Sequence, residues 1–144
     1  MTRVEFFFNV EDKLQKLAEL SEKAINKNIK VMILTADEST TTSVQQALWK
    51  HPDSFLANCR SQDSLAAASP IVVDYQTDYL VHDELLINLQ HSQTTIFSRF
   101  KTLIEIVGAD EADKILARAR YKFYRDRGYE IRSYDSLGKG VSTY

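Results

Sequence analysis

The residue pattern predicts an α/β sandwich, with helices flanking a mainly parallel central sheet. Three observations point there. Apolar runs of strand length recur along the chain, segments with helical apolar spacing lie between them, and capping or turn-forming residues separate the two. At 144 residues, 44% hydrophobic and 26% charged, the chain has a globular composition and enough length for one real core. No internal repeat or composition break divides it. Residues 1–133 are expected to form a single domain, and the glycine-bearing stretch 134–144 a flexible tail.

The elements follow in order. Residues 3–10, rich in Val and Phe, read as a buried strand. Between Glu11 and Asn28, Leu14, Leu17, Ala18, Leu20, Ala24 and Ile25 fall close to a helical period. Residues 30–35 form a compact apolar strand. Thr40 or Thr41 is the candidate cap of a helix that runs to Lys50 and stops at His51-Pro52. A short strand is expected over 54–59, a polar loop over 60–69, and strands over 70–75 and 84–89. A short helix over 92–99 precedes a strand over 101–107. Asp110 is placed to cap the next helix, Gly128 to end it, and residues 129–132 give a last strand.

Little in the chain supports catalysis. Its four glycines, Gly108, Gly128, Gly138 and Gly140, make neither a Gly-x-Gly-x-x-Gly turn after the first strand nor a Gly-Lys-Ser/Thr phosphate loop. The first strand runs instead into Asn9-Val10-Glu11-Asp12, whose acids repel phosphate. His51, His82 and His91 share no metal-ligand spacing, and a single cysteine, Cys59, excludes an internal disulfide or a multi-cysteine metal site. His82-Asp83-Glu84 reads as a solvated loop entering a strand, and Ser39–Ser43 lacks a nucleophile-elbow pattern. No catalytic residue, cofactor or metal is assigned, and the chain is expected not to be an enzyme. No apolar run nears the roughly 20 residues that span a bilayer, and the first residues do not read as a signal peptide. A cytoplasmic protein is expected.

Charge is what stands out. Lys114–Arg127 holds six basic residues (Lys114, Arg118, Arg120, Lys122, Arg125, Arg127) against one acid, Asp126, a local +5. With −2 over the whole chain, everything else sums to −7. Ala112, Ile115, Leu116, Ala119 and Phe123 are expected to form the helix's apolar stripe toward the core. Lys114, Arg118, Tyr121, Lys122 and Arg125 then make a second stripe, with no set of i+4 acids to neutralise it. Such a patch suits an anionic partner that also has an apolar group to bury. A short acidic peptide fits better than a nucleic-acid backbone, because a chain of pI about 5.9 is a poor general phosphate binder. A second feature is Trp49, the only tryptophan, beside Pro52 and Phe55. It is either core or an interaction anchor.

These residues resemble a known family, the chi subunit of the bacterial DNA polymerase III holoenzyme, over roughly residues 3–133. Three blocks carry the resemblance: Leu116 to Arg125 followed by Gly128-Tyr129; Ala47-Leu48-Trp49 with Pro52 and Phe55; and Asp83 to Leu89. It implies a Rossmann-like α/β fold and a non-catalytic DNA replication accessory protein of the clamp loader. It also implies two partners. One is the acidic C-terminal tail of the single-stranded-DNA-binding protein, aspartates followed by a terminal phenylalanine with a free carboxylate. The other, on another face, is the psi subunit, or alternatively a helicase.

Carried over by position, Lys114, Arg118, Tyr121 and Lys122 match the family's tail-binding residues, and Val107 an apolar wall of that pocket. Arg125 extends the same stripe. Arg118 or Lys122 is then expected to hold the terminal carboxylate, Val107 and Tyr121 to pack on the ring, and Lys114 to meet the aspartates. Trp49, Pro52 and Phe55 match the psi or helicase surface. The chain departs from some relatives in a shorter segment around 60–69, in lacking a basic, serine-rich loop near 76–82, and in Gly108, where proline occurs. The alternative function is a direct nucleic-acid-binding module using the basic helix 110–127.

Overall fold

The computed structural model describes residues 1–51 and 56–136. Six strands and three helices alternate as β1 (Arg3–Val10), α1 (Lys13–Asn26), β2 (Val31–Leu34), α2 (Glu38–Trp49), β3 (Ile71–Asp74), β4 (Leu85–Asn88), β5 (Thr102–Gly108), α3 (Glu111–Asp126) and β6 (Ile131–Asp135). A 3₁₀ turn, Thr95–Arg99, stands between β4 and β5 where a short helix is expected. The strands form one sheet in the order β3-β2-β4-β5-β1-β6, and every pairing is parallel.

Two cores sandwich this sheet, and strand alternation assigns residues to them. Val31, Ile33, Ile71, Val73, Leu85, Ile87, Ile104 and Ile106 join Leu17, Ala18, Val44 and Leu48 of α1 and α2 on one face. Val4, Phe6, Met32, Leu34, Leu86 and Leu103 join Phe97, Ala117, Tyr121 and Tyr124 on the α3 face. Every residue of β2, β3 and β4 is buried, as strands covered on both faces require.

Two expectations need correction. The strand over 54–59 reduces to one bridge, Cys59 with Val72, beyond the end of α2; residues 54 and 55 lie outside the described residues. The α2 cap is Asp37, not Thr40 or Thr41. Its carboxylate accepts from Thr40 N at 2.8 Å, while the Thr41 hydroxyl turns back to Asp37 O at 2.7 Å.

From β1 and its neighbour β5 the connections run toward opposite edges of the sheet. α1 leaves β1 over one face and α3 leaves β5 over the other, so both helix N-termini converge at the carboxyl ends of this strand pair. Asp12 and Asp110 cap the two helices, and Lys13 Nζ lies 2.5 Å from Asp113 Oδ2 across the crevice. Gly108 N donates to the same Asp113 oxygen at 2.6 Å. A Cβ on Gly108 would stand 2.9 Å from Asp110 Oδ1 and 3.1 Å from Asp113 Oδ2, so glycine is what lets the carboxylates close over the strand end. Proline at this position would also remove the donor.

Candidate functional site

α3 carries the charge. Asp110 Oδ2 accepts from Asp113 N at 3.1 Å at its start, and Gly128, at φ +80°, ends it in the left-handed conformation. Its buried face is Asp113, Ala117, Arg120, Tyr121 and Tyr124. The stripe expected to face the core therefore faces water: Ala112, Ile115, Leu116 and Ala119 are exposed, with Ile115 at 57% and Leu116 at 41%, and Phe123 is half-buried.

Glu105 explains the rotation. It points from the middle of β5 into the α3 core and is fully buried, so it needs partners. Arg120 Nε donates to its Oε1 at 3.1 Å, Tyr124 OH to its Oε2 at 2.7 Å, and Asn88 Nδ2 to both oxygens at 3.3 and 3.1 Å. Arg120 also donates to His91 O at 2.9 Å, tying the loop after β4 to the helix. Burial pushes the Glu105 carboxyl up, against the opposing pull of Arg120, Tyr124 and Asn88. Burial and the neighbouring Glu105 likewise push the Tyr124 hydroxyl up. The charged residue inside Leu-Ile-Glu-Ile-Val was the available signal that α3 must turn an arginine inward.

The basic residues then divide. Arg120 belongs to the core, and Arg127 lies over the Phe123 ring, 3.6 Å from its centroid. Lys114 is half-buried, while Arg118, Lys122 and Arg125 are exposed along one flank. Arg118 Nη1 reaches Glu111 Oε1 at 3.3 Å and Arg125 Nε reaches Asp126 Oδ1 at 3.5 Å, both pairs open to solvent. Lys114 and Lys122 make no ion pair among the described residues. Tyr121, at 9% exposure, packs its ring 5.4 Å from Phe6 and leaves little surface to this flank. Val107 is fully buried and backs Tyr121 from within. The outer surface of α3 thus carries a basic flank and an apolar one, with Glu111 and Asp126 at its ends.

Trp49, the last residue of α2, is 40% exposed. Leu14 of α1 is also exposed, and His51 beside them meets Glu22 at 2.8 Å. This region lies on the sheet face opposite α3. Pro52 and Phe55 fall outside the described residues. His82, with Nε2 3.0 Å from Ser69 O, and Cys59 are built into loop packing, and burial pushes the Cys59 thiol up.

Fold and site together define a parallel α/β domain that presents a cationic helix flank on one face and an exposed tryptophan on the other. Residues 1–132 match the family described as "DNA polymerase III chi subunit, HolC", and the chain belongs to that family. It is 27% identical to DNA polymerase III subunit chi of Pseudomonas aeruginosa, over 93% of this chain and 96% of the relative. Subunit chi of Escherichia coli is 25% identical over 83% of this chain and 82% of its own length. That of Haemophilus influenzae is 30% identical over 71% and 72%. No helix among the described residues is long and apolar enough to cross a membrane.

Proposed function

We propose that this protein is a non-catalytic, cytoplasmic adaptor of the replication machinery, joining a clamp loader to coated single-stranded DNA. The basic flank of α3 takes the acidic C-terminal tail of the single-stranded-DNA-binding protein, and the Trp49 surface takes a psi-like subunit or a helicase. One observation carries the reading: Arg118, Lys122 and Arg125 stand open to solvent on one sheet face while Trp49 stands exposed on the other. An adaptor must hold two partners at once, and two faces allow it. Family membership supports the same role.

In this mechanism Arg118 or Lys122 grips the terminal carboxylate, Lys114 meets the aspartates, and Arg125 extends the positive field. The terminal ring seats on the small exposed surface of Tyr121, with Val107 behind it. Exposed ion pairs contribute about 0–1 kcal/mol each, so the ring and the terminal carboxylate must supply the selectivity.

The test is a fluorescent peptide copied from the tail of the same organism's single-stranded-DNA-binding protein. Amidating its terminus or introducing Arg118→Glu should each weaken binding tenfold or more, about 1.4 kcal/mol, and added salt should weaken it further. Equal affinity for native and amidated peptides would sink the reading. Retention of naked DNA instead would favour a direct nucleic-acid module.

A further inference from the structure

One end of the sheet's α1 face is left open by its helices. α1 must travel from β1 to β2, three positions away in the sheet, and so crosses toward β5 and β4. α3 lies on the opposite face. On the α1 side, β6 and the start of β1 are therefore left open, and a trough of about 470 Å³ lies between α1 and these strands. This is within the range of sites that hold ligand groups, about 300–1,000 Å³.

Phe7, Leu85, Ile104 and Tyr134, from four adjacent strands, give its floor an apolar strip beside Arg3, Glu5 and Thr102, and Leu20 and Ala24 of α1 form the wall. Phe7 and Tyr134 are cross-strand partners whose rings stack at 4.9 Å with 19° between planes, and both remain half-exposed. The rim is cationic. Lys23, Lys27 and Lys101 border it, all exposed and without an ion pair among the described residues, and Lys16 Nζ stands 5.0 Å from the Phe7 centroid. The two acids of the lining are engaged: Arg3 meets Glu5 at 3.2 Å, and Glu84 accepts from Lys30 N at 3.4 Å.

We infer that this trough is a second docking site, for an acidic segment of a protein partner that inserts an aromatic or branched side chain between α1 and the Phe7–Tyr134 pair. Charge complementarity selects the occupant. Three lysines without an ion pair among the described residues, around an apolar strip in a chain of net charge −2, match carboxylates flanking an apolar residue. A nucleic-acid strand fits less well, because a few lysines around one apolar slot make no cationic track along which successive phosphates could lie. The site shares no residue with α3 or with Trp49.

The probe is acetyl-Asp-Glu-Phe-Asp-Glu-Leu-amide, which lacks the free terminal carboxylate that the α3 flank is proposed to grip. Titrated into the isotope-labelled full chain at low salt, it should shift the amide signals of Phe7, Lys23, Lys27, Lys101 and Tyr134. The paired change Lys23→Glu with Lys27→Glu should weaken binding about tenfold, and Arg118→Glu should leave it within about twofold. Absence of shifts in the trough, shifts confined to α3 or α2, indifference to the lysine reversals, or trough shifts caused by oligothymidine rather than the peptide would each overturn the inference. Amide spectra of the variants report folding directly, so a misfolded variant cannot pass for lost binding.

Discussion

Arg118 and Arg120 are two residues apart on α3 and meet opposite surroundings. Arg120 lies buried in the core, held by Glu105 and the His91 carbonyl. Arg118 lies in water, touching Glu111 at 3.3 Å along its own helix. The same guanidinium thus serves as anchor on one side and display on the other. An inner charge is strongly coupled because removing its partner strands a buried ion. An outer charge is weak alone and acts only as one of several. A helix that offers cations to a partner therefore needs something other than those cations to fix it in place.

The buried arginine is where a substitution has the largest effect. Arg120→Ala leaves Glu105 buried without its cation and should destabilise the fold by about 3–5 kcal/mol, measured by urea unfolding. A loss below about 1 kcal/mol would mean that Tyr124 and Asn88 suffice to hold the carboxylate. Gly108→Ala, which pushes a methyl against Asp110 and Asp113, should destabilise by about 1–3 kcal/mol on the same assay.

Acid sharpens the same contrast. Burial opposes the charge on Asp113, but Lys13 and the Gly108 N–H hold its carboxyl below the ordinary value. Its folded pKa is lowered, so its contribution is complete above the unfolded value of about 3.9 and is lost as pH falls through the folded one. Asp113→Asn should therefore be less stable at neutral pH and lose less stability on acidification than the native chain. The smallest effects belong outside: Arg118→Glu and Ile115→Ser should each shift stability by no more than about 0.5 kcal/mol, and a larger loss at Ile115 would return that residue to the core.

Most strands and helices were legible because their apolar periods are strong. The runs at 30–35, 70–75 and 84–89 can satisfy both faces only inside a covered parallel sheet. The phase of α3 was not legible from the helix alone. Hydropathy places Ile115 and Leu116 inward and Asp113 and Arg120 outward, whereas the structure does the reverse. The partners of an inward Arg120 and Asp113 lie outside the helix, on the preceding strand β5 and on the distant α1. The basic flank could be read because Lys114, Arg118, Lys122 and Arg125 recur at helical spacing. Its aromatic companion was misjudged as surface: Tyr121 is almost wholly core. For Trp49 the sequence left core and surface open, and the structure exposes it.

The strand order also governs how the chain comes together. β1, the first of the six strands in sequence order, ends between β5 and β6, the last two of them. Its Phe6, Phe7 and Phe8 must wait for residues 102–135 before both edges are paired. Pairings so distant in sequence close slowly. On the ribosome, a phenylalanine-rich strand edge therefore stays open until most of the chain has emerged, and a product truncated before β5 leaves it without either neighbour. For this protein, dependence on chaperones during translation should track the completion of the C-terminal third.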